Sequence, residues 1–320
     1  MPHLLFVHRS QALYYSCLLF SLQLLLACSN NASKPPANSD TYRTDIALGY
    51  DLDKADEEIK LSNKLREISG LTYVPKKGLV AVQDEKGALY WLDKKGNIDE
   101  VIDFSADGDY EGLAFEKEFL FALRADGVLF EIDRWEKDKK KPKTRVINTN
   151  LGEINDTEGL AYHPIENQLW IACKGSAIIG KERYYERAIY AYDLALDSFL
   201  VEPIIVISRR QLQHFIRKNM RQHPDYGFYK KMLRKEKPNM PLQPSAIAIH
   251  PITQDIYLLC AVGNSLLVLN PSFEIKALCR LHHDVFEQPE GLAFNPEGDL
   301  FLSSEGQKKK ARIYEFKYRP

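Results

Sequence analysis

A six-residue pattern written five times along the chain limits its fold more than any other feature. The copies are Ile68-Ser69-Gly70-Leu71-Thr72-Tyr73, Tyr110-Glu111-Gly112-Leu113-Ala114-Phe115, Thr157-Glu158-Gly159-Leu160-Ala161-Tyr162, Pro244-Ser245-Ala246-Ile247-Ala248-Ile249 and Pro289-Glu290-Gly291-Leu292-Ala293-Phe294. Their central residues Leu71, Leu113, Leu160, Ile247 and Leu292 follow one another at 42, 47, 87 and 45 residues, so three of four intervals share one period. Each copy is followed by a turn and a second β-rich run (LVAVQD, FLFALR, LWIACK, IYLLCA, LFLSSE), then by a third (ALYWLD, VLFEID, AIYAYD, LLVLN, RIYEF). Short strands divided by Gly, Pro, Asn and Asp turns at a period near 45 predict the blades of an all-β β-propeller.

A blade needs a fourth, outermost strand, and four copies supply one: IDEVIDF, TRVINT, FLVEPIIVI and EIKALCRL. The fifth copy runs out at Pro320. The strand-like run Asp45–Leu52, ahead of the first copy, is expected to close the ring by pairing with the last blade, which would remove the open edge. The interval of 87 leaves a choice between five and six blades. Residues 208–240 carry apolar residues at helical spacing (Leu212, Phe215, Ile216, Met220; Phe228, Tyr229, Met232, Leu233), which predicts a two-helix insertion rather than a missing blade. Five blades are therefore expected, with six as the alternative.

The N-terminus reads as an address. An apolar run from Ala12 to Ala27 is short for a membrane span but suits a signal-peptide core, and it ends at Leu25-Leu26-Ala27-Cys28, which resembles a bacterial lipobox. Residues 1–27 are thus expected to be a lipoprotein signal peptide, Cys28 the lipidated residue, 28–44 a Ser/Asn/Pro-rich tether and 45–320 the propeller. The expected location is the cell envelope, membrane-anchored. With Lys+Arg at 43 and Asp+Glu at 44, no charge excess argues for nucleic acid. Cys173, Cys260 and Cys279 lie in apolar strand runs, where burial is the ordinary role, and no CxxC pair suggests zinc.

The first strand of a propeller blade lines the central axis, so the residue before each repeated Gly should point toward one channel mouth. Around the ring these are Ser69, Glu111, Glu158, Ser245 and Glu290. Three close carboxylates need raised pKa values, a basic neighbour or a cation. Ca²⁺ is the expected cofactor, because it takes six to eight oxygens in irregular geometry. Asp84 and Glu305, ending second strands, would add oxygens; Arg124 and Lys174, at equivalent ends, could instead neutralise the ring.

These motifs, with the closing run Pro289–Glu305 (PEGLAFNPEGDLFLSSE), resemble the SdiA-regulated (YjiK-like) family of bacterial envelope proteins, distantly related to NHL-repeat propellers and to the esterase-like domain of phytases. The resemblance spans about residues 45–320 and implies a five-bladed propeller with bound calcium. It carries the family's inner-strand glutamates to Glu111, Glu158 and Glu290, and its late Ser-Glu to Ser304 and Glu305. The fourth copy, Ser245-Ala246-Ile247, and the helical insertion depart from the pattern.

From Ser208 to Lys237 ten basic residues stand against Asp225 and Glu236, so these helices are expected either to meet anionic lipid or an acidic partner, or to form a solvated cap. The basic loop Arg134–Arg145 reads as solvated. His282-His283-Asp284 is not expected to bind metal, since neighbours in a strand face opposite ways. No nucleophile elbow, HExxH or P-loop pattern occurs. The reading is a membrane-tethered, calcium-binding interaction module, with a calcium-dependent hydrolase of phosphate or carboxylic esters as the alternative.

Overall fold

The computed structural model describes residues 46–133, 142–234, 239–307 and 309–320. Cys28, the signal and tether readings, and most of the basic loop fall outside them. Five antiparallel four-stranded sheets are formed. The first is β2 (Ile68–Val74), β3 (Gly78–Gln83), β4 (Lys86–Leu92) and β5 (Ile98–Asp103). The second is β6 (Tyr110–Glu116), β7 (Phe119–Arg124), β8 (Leu129–Asp133) and β9 (Lys143–Ile147). The third is β10 (Thr157–His163), β11 (Gln168–Cys173), β12 (Glu186–Asp193) and β13 (Ser198–Ser208), and the fourth β14 (Gln243–Ile249), β15 (Ile256–Val262), β16 (Ser265–Leu269) and β17 (Ile275–Arg280). The fifth joins β18 (Pro289–Phe294), β19 (Leu300–Ser304) and β20 (Arg312–Phe316) to β1 (Glu57–Lys60), the N-terminal strand closing the ring. The protein is a five-bladed β-propeller, as the period of the repeats predicts.

The closing strand is not the expected one. Ile46–Leu48 form a 3-10 turn, and Leu48, Tyr50 and Leu52 are buried between the fourth and fifth blades. The Tyr50 hydroxyl donates to the Gly298 carbonyl at 2.6 Å and meets His250 Nε2 at 2.9 Å. The alternating apolar residues that looked like a strand are a wedge. The strand that does pair, Glu-Glu-Ile-Lys, is polar because the outermost position of a blade faces water, where charge also discourages further strand addition.

The core is divided rather than central, with one buried apolar cluster at each of the five junctions between blades. The repeated glycines make those junctions possible. A Cβ on Gly70 would stand 2.8 Å from the backbone of Gly112, one on Gly112 2.7 Å from Leu160, one on Gly159 2.9 Å from Ile247 and one on Gly291 2.7 Å from the Ser69 carbonyl. Four of the five inner strands therefore touch the next through a position that has no room for a side chain, and the fourth blade carries Ala246 there.

The long interval holds α1 (Arg209–Asn219) and α2 (Tyr226–Met232). Ser208 and Gln211 form a reciprocal capping box that starts α1, and Leu212, Phe215 and Ile216 bury its inner face in the junction between the third and fourth blades. Cys173, Cys260 and Cys279 are free and buried in β11, β15 and β17. The Cys260 thiol donates to the Leu258 carbonyl at 4.0 Å, and burial pushes it up to about 12.

Candidate functional site

Because strands alternate direction within a blade, the starts of the inner strands and the ends of the second strands share one mouth of the axial channel. The pairing registers show how the ring residues are aimed there. Tyr110 faces Arg124 and Gly112 faces Leu123, leaving Glu111 as the extra residue of a β-bulge. The same skip isolates Glu158 between Thr157 and Gly159, Ser245 between Pro244 and Ala246, and Glu290 between Pro289 and Gly291. In the first blade it falls within Ile68–Leu71, which contains Ser69. A bulge kinks the strand and redirects one side chain; here it recurs in all five blades at the position that carries the carboxylate or hydroxyl.

Glu158 and Glu290 are buried, and Glu111 is mostly so. Burial raises the carboxyl of Glu111 first, followed by the charges of Glu158, Asp109 and Glu290. Burial likewise raises Glu158, which Lys174 pulls back down and Glu290 pushes up. Glu290 is raised by burial and also senses Lys174 and Asp84. The three glutamates thus act on one another at a single mouth. Glu305 is pushed up to about 8, by burial and then by Glu290, Asp84 and Glu67. Asp84 is pushed up to about 6, by burial and then by Glu67, Glu85 and Asp109.

Of the two cations at the mouth, only Lys174 meets a ring glutamate: its ammonium pairs with Glu158 Oε1. Arg124 turns away, its Nε and Nη2 donating to Asp126 at 2.9 and 2.8 Å. An aspartate two residues on in the same turn offers a bidentate partner without crossing the channel. His282, His283 and Asp284 lie exposed in the turn before β18, with His282 Nε2 3.7 Å from Asp53.

A second acidic tier was not anticipated. Two residues before each bulge stand Glu67, Asp109, Asp156, Gln243 and Gln288, and the first three are acidic. The signal was present as Glu-x-Ser, Asp-x-Glu and Asp-x-Glu. Glu67, Asp84, Asp109, Glu111, Asp156, Glu158, Glu290 and Glu305 surround this mouth, and Lys174 is the cation paired with the ring.

Among the described residues no three His, Cys, Asp or Glu side chains stand close enough to hold a metal ion as placed. The donor chemistry nonetheless suits a hard cation, being carboxylate and hydroxyl oxygen without sulfur or imidazole. Glu290 Oε2, Asp84 Oδ1 and Ser303 Oγ are buried without a hydrogen-bond partner, which costs free energy unless something else satisfies them.

Fold and site together define a five-bladed propeller with an acidic axial mouth built on repeated bulges. Residues 49–177, the first two blades and the inner half of the third, match the model of the SdiA-regulated family, and the propeller agrees with that family. No curated protein matches the chain. Among solved structures it is similar to a glutaminyl cyclase of Myxococcus xanthus, at 12% identity over 83% of this chain and 96% of that one, with a TM-score of 0.53. It is also similar to the PQQ-bound aldose sugar dehydrogenase of Streptomyces coelicolor, at 12% identity over 82% and 97%, with a TM-score of 0.48. Identities this low establish the fold and nothing about chemistry.

Proposed function

We propose that this protein is a membrane-tethered, calcium-binding propeller that serves as an interaction module of the cell envelope. The observation that carries the calcium reading is the imbalance at the bulged mouth, where eight carboxylates meet one ring-paired ammonium and two carboxylate oxygens are buried without partners. Glu111, Glu158 and Glu290 would hold the ion, with Glu305 and Asp84 moving in to complete the shell; Ser69 and Ser245 add oxygens at the rim. Ser245 donates to the Pro289 carbonyl at 2.7 Å, which leaves its hydroxyl oxygen able to accept or to coordinate.

The tether reading rests on the sequence around Cys28. The path of the described chain agrees with it: β1 runs antiparallel to β20, so Glu57 lies at the face opposite the carboxylates, and Tyr50 is seated on that same side beside Gly298 and Tyr318. Among the described residues no helix is long and apolar enough to cross a membrane.

One observation favours the hydrolase as a second reading. Asp84 and Glu305 sit at one mouth with carboxyls pushed to about 6 and about 8, and two acids held apart in this way are what acid–base chemistry requires. A bound calcium would polarise an ester or phosphate oxygen there.

Metal analysis with melting curves in calcium and in chelator tests the main reading. At a free concentration of about a hundred times the Kd, bound ligand adds roughly 2.7 kcal/mol, or about 5 °C for a domain of this size. Absence of bound metal together with coincident melting curves would discard it. Metal-dependent turnover of a phosphate or carboxylic ester, lost in Glu305→Gln, would favour the hydrolase instead.

A further inference from the structure

On the outer flank, α1 leans over the junction between the third and fourth blades and leaves an open groove of about 1060 Å³ between β13, the helix and the start of β17. It continues into a hollow of about 430 Å³, and Ile204 and Phe273 line both. The wide part is mixed, with Phe215 and Ile275 beside Gln211 and Ser272, and the narrow part is mostly apolar, with Trp170 and Ile256. Phe273 is 42% exposed at the junction, 6.1 Å from the Trp170 ring, and its backbone is left-handed at φ 65°. A bulky residue held there is strained, and such strain gathers at binding sites.

The rim has the opposite character. Arg210, His214 and Lys218 stand at i, i+4 and i+8 of α1, exposed along the groove, on a helix whose sequence contains no acidic residue. Like charges at this spacing weaken a helix. Among the described residues none of the three enters an ion pair. On the facing wall Glu274 accepts from Asn270 Nδ2 at 3.0 Å and Lys276 is paired with Asp255 at 2.5 Å, so the Arg210 and Lys218 cations and the His214 ring are left for a ligand.

We infer that this groove binds a free long-chain carboxylate, an anionic single-chain amphiphile. The head lies against Arg210, His214 and Lys218, and the chain runs past Ile204 to Phe273 and Trp170. The narrow hollow of about 430 Å³ is of small-ligand size and suits one hydrocarbon chain. A lateral slot roofed by a helix, rather than a flat basic patch, favours a single molecule over a bilayer surface. The mostly apolar narrow hollow favours a hydrocarbon over an acidic peptide. This site is independent of the acidic mouth.

The test is equilibrium dialysis of the purified protein against laurate below its micelle concentration, with tryptophan fluorescence recorded in parallel. Saturable one-to-one uptake is expected. It should weaken at least tenfold in Arg210→Glu/Lys218→Glu and in Phe273→Ser, all at exposed positions, with melting curves confirming that each variant folds. Dodecyltrimethylammonium, with the same chain and opposite head, should not compete. The inference is overturned by unsaturable uptake, by unchanged affinity in the charge-reversed variant, by equal competition from the cationic amphiphile, or by retention on anionic vesicles or polyglutamate without laurate uptake.

Discussion

Replacing Lys174 by Met removes the ammonium from Glu158, whose side chain is 4% exposed, while that of Lys174 is 30% exposed. Taking away one partner of a buried pair costs about 3–5 kcal/mol, because the remaining charge is left without compensation. Lys174 is partly hydrated, so the lower figure of about 3 kcal/mol applies after allowance for screening. For a domain of this size that is a fall of about 6 °C in the melting midpoint. The cost has a signature that a merely disrupted structure lacks. Glu158 is already raised by burial and by Glu290, and loss of the ammonium raises it further, so the folded variant holds a proton that the unfolded chain releases. Stability of the variant should therefore decline as pH rises from 6 to 8. Glu158→Gln in the same background removes the buried titrating carboxyl and should recover most of the loss at pH 8. Calcium should also stabilise the single variant more than the parent, since the competing ammonium is gone. Thermal melts followed by circular dichroism, in chelator and in calcium, read all of these. If Lys174→Met melts within about 1 °C of the parent at pH 8, or the double variant is no more stable than the single, the buried-pair reasoning fails.

Two further outcomes follow from the same geometry. In chelator, Glu305 at about 8 and Asp84 at about 6 lie above their unfolded values, so the native state binds more protons and stability should fall as pH rises from about 5 to 8, by about 1–2 kcal/mol after allowance for their hydration; Glu305→Gln should flatten that slope, and a profile that rises instead contradicts it. Gly112→Ala would place a Cβ 2.7 Å from Leu160 and should cost about 1–3 kcal/mol by overpacking, whereas Gly152→Ala, with nothing within 4 Å, should be close to neutral in the same denaturant titration.

The candidate site was legible to different depths. Glu111, Glu158 and Glu290 were placed at one mouth from their position before a repeated glycine, and the structure brings them within electrostatic reach of one another. Glu305 and Asp84 were placed there from the ends of second strands and feel the same charges. Arg124, offered as a possible neutralising cation, pairs instead with Asp126 in its own turn, because blade equivalence gives position along a strand but not a rotamer. Glu67, Asp109 and Asp156 were missed because they precede the strands that define the repeat.

The blade count and the helical insertion follow from sequence alone because each depends on local patterning along the chain, which a repeated period and its one interruption record directly. The closing strand, the bulges and the flank groove required the folded molecule. Glu57–Lys60 meets Arg312–Glu315 across 250 residues, a bulge is a mismatch of register between two strands rather than a property of either, and the groove joins α1 to Phe273 only when the ring is shut. Local hydrogen bonding writes itself into sequence, whereas contacts that exist only after closure are set by the geometry of the ring.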